Sequence, residues 1–381
     1  MELSNKRRGG RNILFAGFLL CTLLLAACGS ANGGGSTPPA PSAKKAGQGC
    51  NNIGISLPET NTSYRWDNQD KPALNNDIKA AFPNAKIQYN NAGGDANVQQ
   101  TQVESMITNG ACVLIVAPHD SKQAASIVTS AKQKNIPVVS YDRLINSADL
   151  AAYVSFDNVA VGKLQGQYIA DHYQQYVTQN GTNNAVFING AQTDNNAILF
   201  KQGLHLAVDP LIQGGKLKSA YEQFTDWTGP TAQTDFEAAL TQTGNKVAVA
   251  YVANDDMANA VISSLKTKHL DGKVLVTGQD ASITGIQNIM TGVQSMTVYK
   301  AISKEAQATT DVVKAIVNGQ DAASVATAQT KEPVSSANIP TVAETPVAVD
   351  KTNIQDTILK DNFWTKDQLC KGLSAGTDNI C

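Results

Sequence analysis

The sequence predicts an α/β protein made of two doubly wound parallel-sheet lobes joined by a multi-strand hinge. Three observations lead there. From residue 51 short β-branched runs alternate with longer amphipathic stretches, the pattern of repeated βαβ units. The strand runs are near-continuously apolar, as parallel strands covered by helices on both faces must be. About 330 residues take part, more than one core usually holds, and the alternation starts afresh at Ala185.

The chain opens with Lys6, Arg7, Arg8 and Arg11, then an apolar run from Ile13 to Ala27 broken only by Gly17, Cys21 and Thr22. That run is too short for a comfortable transmembrane span and ends in Leu25-Ala26-Ala27-Cys28, small residues ahead of a cysteine. It resembles a bacterial lipobox, which implies a cleaved leader over 1–27 and a lipidated Cys28; the alternative is an uncleaved anchor. Residues 28–49, with Gly33-Gly34-Gly35-Ser36-Thr37-Pro38-Pro39, read as a flexible tether. The rest is then expected outside the cytoplasm, held to the membrane by lipid. Removing four basic residues and one acidic residue with the leader takes the net charge from -2 to -5. Such a chain offers no basic face for nucleic acid.

Strands are predicted at Ile53–Leu57, Lys86–Asn90, Val113–Ala117, Val138–Tyr141 and Tyr153–Ser155. Helical patterns lie between them (Val103, Met106 and Ile107; then Ala124, Ala125, Ile127, Val128 and Ala131), stopped by Asn109-Gly110 and by Asn135 with Pro137. The second series places strands at Ala185–Ile188, Ala220–Gln223, Val247–Val252 and Val274–Thr277. Its helices fall near Asn196–Ala207, Pro230–Leu240, Met257–Lys266 and Ser282–Met290. A last strand-helix-strand set (Met296–Tyr299, Ser303–Asn318, Val347–Val349) has no room for a third lobe and is expected to cross back and build the hinge. Gly319–Pro340 is polar with little periodicity and reads as surface loop. The expected division is 50–156 with 300–325 as the first lobe, and 157–299 with 326–381 as the second lobe, hinge and tail.

Four cysteines remain in an oxidising compartment, and they allow three pairings. Cys50 precedes the first strand and Cys112 opens the third, so neighbouring parallel strands would start them side by side. Cys370 and Cys381 would then close a short C-terminal loop; free thiols are the alternative. No CxxC or HxxxH spacing occurs and the four histidines are scattered, so no metal or other cofactor is expected.

Ligands of open α/β sheets bind outside the carboxyl ends of the strands. The residues just past those ends are Tyr64-Arg65-Trp66, Asp142-Arg143, Asp194-Asn195-Asn196, Asp226-Trp227, Asn254-Asp255-Asp256 and Gln279-Asp280, with Lys300 ending the return strand. Carboxylates, amides and guanidinium groups engage adjacent hydroxyls two at a time, and an indole packs on a C–H face, so this rim suits a sugar. Singly, Asp194 and Asn254 also read as helix N-caps, and Asp142-Arg143 as a surface ion pair.

Several spaced segments agree in order with one family: Arg65-Trp66, Ser140-Tyr141-Asp142-Arg143, Ser155-Phe156-Asp157-Asn158, Asp194-Asn195-Asn196-Ala197, Gly278-Gln279-Asp280-Ala281 and Met296-Thr297-Val298-Tyr299-Lys300. Over roughly residues 51–365 the chain resembles type 1 periplasmic binding proteins, and among them D-xylose-binding receptors of bacterial ABC importers. The resemblance implies sugar contacts at Arg65, Asp142, Arg143, Asp194, Asn196, Trp227, Asn254, Asp280 and Lys300, with Trp66 beside them. It also implies an ABC permease as partner, a monomer, and no enzymatic activity. Two positions depart from the family pattern: Ala301 stands where proline is usual, and Asp256 where a small residue is usual. They bear on which sugar is preferred; ribose, galactose, an inositol or a furanosyl signal are the alternatives, as is delivery to a chemosensor.

An enzyme would need a nucleophile elbow, metal spacing or a phosphate-cradling GxGxxG, and none is found; Gly93-Gly94 reads as a turn. A transcription regulator of this architecture would need a helix-turn-helix ahead of residue 51, where the leader and tether lie.

Overall fold

The computed structural model describes residues 44–381 apart from residue 61, so the leader, Cys28 and most of the tether lie outside the described residues. In chain order the first lobe comprises β1 (Asn52–Leu57), α1 (Lys71–Ala81), β2 (Lys86–Asn91), α2 (Ala96–Thr108), β3 (Val113–Val116), α3 (Ala125–Gln133), β4 (Val138–Tyr141) and β5 (Ala152–Phe156). The second holds α4 (Asn158–Asn180), β6 (Asn184–Ala191), α5 (Asn195–Gln213), β7 (Lys218–Thr225), α6 (Gly229–Thr243), β8 (Val249–Val252), α7 (Asp255–Thr267), β9 (Leu275–Val276) and α8 (Ile283–Thr291). The chain finishes with β10 (Thr297–Tyr299), α9 (Ile302–Val317), β11 (Ala328–Lys331), β12 (Asn338–Glu344), β13 (Val347–Val349) and α10 (Lys366–Cys370).

Successive residues of β3 show why the strands are apolar throughout. Val113 and Ile115 pack with Ile53, Ile55 and the helices α1 and α9, whereas Leu114 and Val116 pack with Met106, Ile127 and Val128 on the other face. All four are fully buried. Each such side chain contributes about 1.5–3 kcal/mol on burial. The second lobe repeats this arrangement around its four-stranded parallel sheet, in the order β7-β6-β8-β9.

The first sheet has seven strands in the order β11-β12-β5-β4-β3-β1-β2, all parallel except the β11–β12 hairpin. This corrects two expectations. The stretch Gly319–Pro340 is not a surface loop: it contains a short helical turn (Ala322–Val325), β11 and the start of β12. Residues 326–344 belong to the first lobe instead of the second, because β12 pairs in parallel with β5. Residues 44–49 form a turn against the first lobe, where the Gly49 N–H donates to the Val317 carbonyl, so the tether ends earlier than residue 49.

The chain crosses between lobes three times, at β5–α4, β10–α9 and β12–β13, and β10 pairs antiparallel with β13. In the β1–β3 register Ile53 lies opposite Val113, so both strands start at the same end of the sheet, and Cys50 and Cys112 there are disulfide-bonded. Cys370 and Cys381 form a second bridge across the tail. No helix among the described residues is long and apolar enough to cross a membrane.

Candidate ligand-binding site

Between the carboxyl ends of the two sheets lies a small cavity. Arg65, Trp66, Asp142 and Arg143 line it from the first lobe, Asp194, Asn196, Trp227, Asn254 and Asp280 from the second, and Lys300 from a crossing segment. Those ten are the residues named from the sequence, and the fold brings all of them to the one cavity. Thr62, Ser63, Phe200 and Gln279 complete the lining.

Arg65 sits at the centre of a buried ion cluster. A wide π-type turn over Trp66–Asp70 returns Asp70 beneath it, so Nε and Nη2 donate to the two Asp70 oxygens at 2.8 and 2.6 Å. Nη1 donates to Asp142 Oδ2 at 2.6 Å, and Nη2 also to Glu305 Oε2 on α9 at 2.8 Å. Lys300 Nζ lies 3.1 Å from Asp280 Oδ1 and 3.6 Å from Asp142 Oδ2. Burial raises the Asp142 pKa, but Arg65, Lys300 and Arg143 outweigh it and bring the group down to about 2. Glu305 goes the other way: burial, reinforced by the Asp142 charge, pushes its pKa well up.

Arg143 organises a second cluster. Its Nη2 donates to Glu59 Oε1 at 2.6 Å, and its Nε lies 2.9 Å from Asp194 Oδ2. The surface-pair reading of Asp142-Arg143 is thereby corrected, because both are buried and each pairs elsewhere. Arg65 and Arg143 also stack on the Trp66 ring, at 4.8 and 5.1 Å from its centroid, so this indole carries cations on its face.

Two residues cap a helix and line the cavity at the same time. Asp194 Oδ1 caps α5 by accepting the Asn196 N–H, while Oδ2 accepts the Trp227 indole N–H at 3.2 Å. Asn254 Oδ1 caps α7 through Met257 N–H, and its amide donates to Thr62 O of the opposite lobe at 3.0 Å. Asn196 in turn donates to Asp142 O across the cleft at 2.9 Å. The lobes are closed on each other.

Backbone strain gathers here. Asp142, Trp227, Asp280 and Ala281 all have positive φ, at 57°, 69°, 88° and 49°. Such residues persist where surrounding contacts over-determine them, often at ligand clamps. Trp227 needs Gly190 beside it, since a Cβ there would lie 2.1 Å from the indole. Trp66 Nε1 and Gln279 Oε1 are buried on the cavity wall with no partner among the described residues, leaving a donor and an acceptor for a ligand.

The sequence reading missed Glu59, Asp70 and Glu305. Glu305 lies in the first turn of α9, past the loop that follows β10, so the strand-end rule could not find it. Other rim residues turn away. Asp226 accepts from Thr228 at the surface, and Tyr64 is half-exposed outside the cavity. Asp255 points into the second lobe, where burial pushes its pKa up to about 8. Asp256 accepts the Tyr64 N–H at 3.2 Å, and burial with the nearby Asp280 charge raises its pKa to about 6.

Residues 53–321 match the family described as periplasmic binding protein domain. The D-xylose-binding periplasmic protein of Haemophilus influenzae is 37% identical over 318 residues, covering 83% of this chain and 91% of that protein. Its Escherichia coli counterpart is 36% identical over 292 residues, 76% of this chain and 85% of that protein. Among solved structures, a carbohydrate transporter solute-binding protein from Chloroflexus aurantiacus in complex with D-glucose superposes with a TM-score of 0.73 at 28% identity, covering 83% of this chain and 97% of that one. Two closed lobes, a polar cavity between them and these likenesses agree: the chain belongs to the periplasmic binding protein family.

Proposed function

We propose that the protein is an extracytoplasmic, lipid-anchored receptor that captures a neutral monosaccharide, D-xylose before others, and delivers it to an ABC permease. The observation that carries this reading is the cavity lined from both lobes by groups that bind hydroxyls in pairs. Charge narrows the ligand further. Five carboxylates (Glu59, Asp70, Asp142, Asp194, Asp280) face or support the cavity against three cations (Arg65, Arg143, Lys300), an excess that disfavours phosphorylated or acidic sugars. Trp227 and Phe200 supply apolar surface for the C–H side of a ring. The protein acts as a monomeric receptor with no catalytic output, and what the permease reads is the closed form. Likeness to the two D-xylose-binding proteins supports the choice of sugar.

Thermal unfolding against a panel of pentoses and hexoses tests the reading. Xylose at about a hundred times its Kd stabilises by about 2.7 kcal/mol. A shift with ribose or galactose and none with xylose would replace the sugar and keep the class; no shift with any sugar would sink both. The anchor has its own test. Cys28→Ser is expected to release the protein from the membrane fraction with sugar binding intact. A variant that still sediments with membranes would point to an uncleaved span.

A further inference from the structure

Asp280 and Ala281 are consecutive residues in left-handed backbone, and they carry a ligand-facing carboxylate. Their conformation needs support on every side. The Asp280 N–H donates to Val298 O at 2.9 Å, the Ala281 N–H to Thr297 Oγ1 at 3.3 Å, and the Ser282 N–H to Asp255 Oδ2 at 2.8 Å. One support comes from far along the chain: the Trp364 indole Nε1–H donates to the Ala281 carbonyl at 2.7 Å. Ala281 is fully buried, so that carbonyl would lose its partner with no water to replace it.

Trp364 is itself firmly placed. It is buried in a cluster with Ala281, Ile286 and Leu369, and the tail around it is fastened to α8 by Gln287, whose amide donates to the Leu369 and Lys371 carbonyls. The Cys370–Cys381 bridge closes that tail. The ring of Tyr64, from the opposite lobe, lies 5.8 Å from the Trp364 ring. The same side chain thus touches the loop that aims Asp280 and the first-lobe loop that meets it.

We propose that Trp364 is a positioning residue for the ligand site: it fixes the Ala281 carbonyl, thereby aims Asp280 into the cavity, and receives Tyr64 when the lobes close. The sugar-aiming part rests on the receptor reading above; the loop-holding part does not.

Trp364→Phe keeps a ring in the cluster and removes the N–H. Xylose titration by calorimetry is expected to show about a threefold to tenfold loss of affinity, the size of one buried hydrogen bond. On an Asp280→Asn background the same change should cost close to nothing, since its effect passes through Asp280. A merely stabilising role would make the two losses multiply, and that result, or an unchanged affinity in Trp364→Phe, overturns the proposal. Hydrogen exchange in the ligand-free protein is independent of any sugar. Amides of 280–285 should exchange about tenfold faster in Trp364→Phe, with remote segments unchanged. Unchanged exchange there overturns the proposal, even if the parent protein binds no sugar; that failure of the parent would count against the receptor reading instead.

Discussion

Arg65→Met is expected to destabilise the protein by about 3–5 kcal/mol, the cost of removing one partner from a buried ion cluster. Arg65 supplies four hydrogen bonds to three carboxylates, all inside the protein. Without it Asp70, Asp142 and Glu305 keep only the more distant Lys300 and Arg143 as cations, in a place where charge is poorly solvated. The loss should read as a lower urea midpoint at unchanged slope. Its pH dependence follows from Asp142. In the parent that group has its pKa lowered to about 2, so its contribution is present above its unfolded value near about 3.9 and fades as pH falls toward 2. The gap between parent and variant should therefore narrow across that window. A deficit below about 1 kcal/mol at neutral pH, typical of an exposed pair, would show that the cluster does not hold the lobe together.

Asp280→Asn is expected to weaken xylose binding about tenfold to a hundredfold, corresponding to about 1–3 kcal/mol. Asparagine keeps the shape and tolerates positive φ, so the change isolates the carboxylate. That carboxylate does three things at once. It faces the cavity, pairs with Lys300 at 3.1 Å, and accepts the Ser63 hydroxyl of the opposite lobe at 3.0 Å. A ligand that needs both lobes shifts the hinge toward the closed form, and weakening the grip of one lobe reduces that shift. Small-angle scattering should show the parent contracting at saturating xylose and the variant contracting less at the same concentration. Equal affinity in calorimetry would remove Asp280 from the binding set.

Both results depend on residues of unequal visibility in the sequence. The strand-end rule is local: a polar residue just past an apolar run is marked by its neighbours, which is how Asp142, Asp194, Asn254 and Asp280 stand out. Helix α4 is different. Its buried face is made of Val161, Gly162, Gln165, Gly166 and Ile169, with the glycines admitting α5 at close range, so no apolar stripe announces it. The β11–β12 hairpin is hidden for a related reason. Ala328–Lys331 is a largely exposed edge, and Pro340 interrupts a run whose partner, β5, lies nearly two hundred residues away.

The sequence by itself determined the two doubly wound lobes, the ten residues that line the cavity and the family, because apolar periodicity and residues at strand ends are properties of neighbouring positions. The tertiary structure alone decided which charges neutralise which. Glu59, Asp70 and Glu305 reach the site from a loop, a π-type turn and a helix, and Trp364 reaches it from the tail. Buried charges and buried carbonyls must find partners wherever the chain happens to bring them, and that pairing is set by proximity in space and leaves no spacing in the sequence to read.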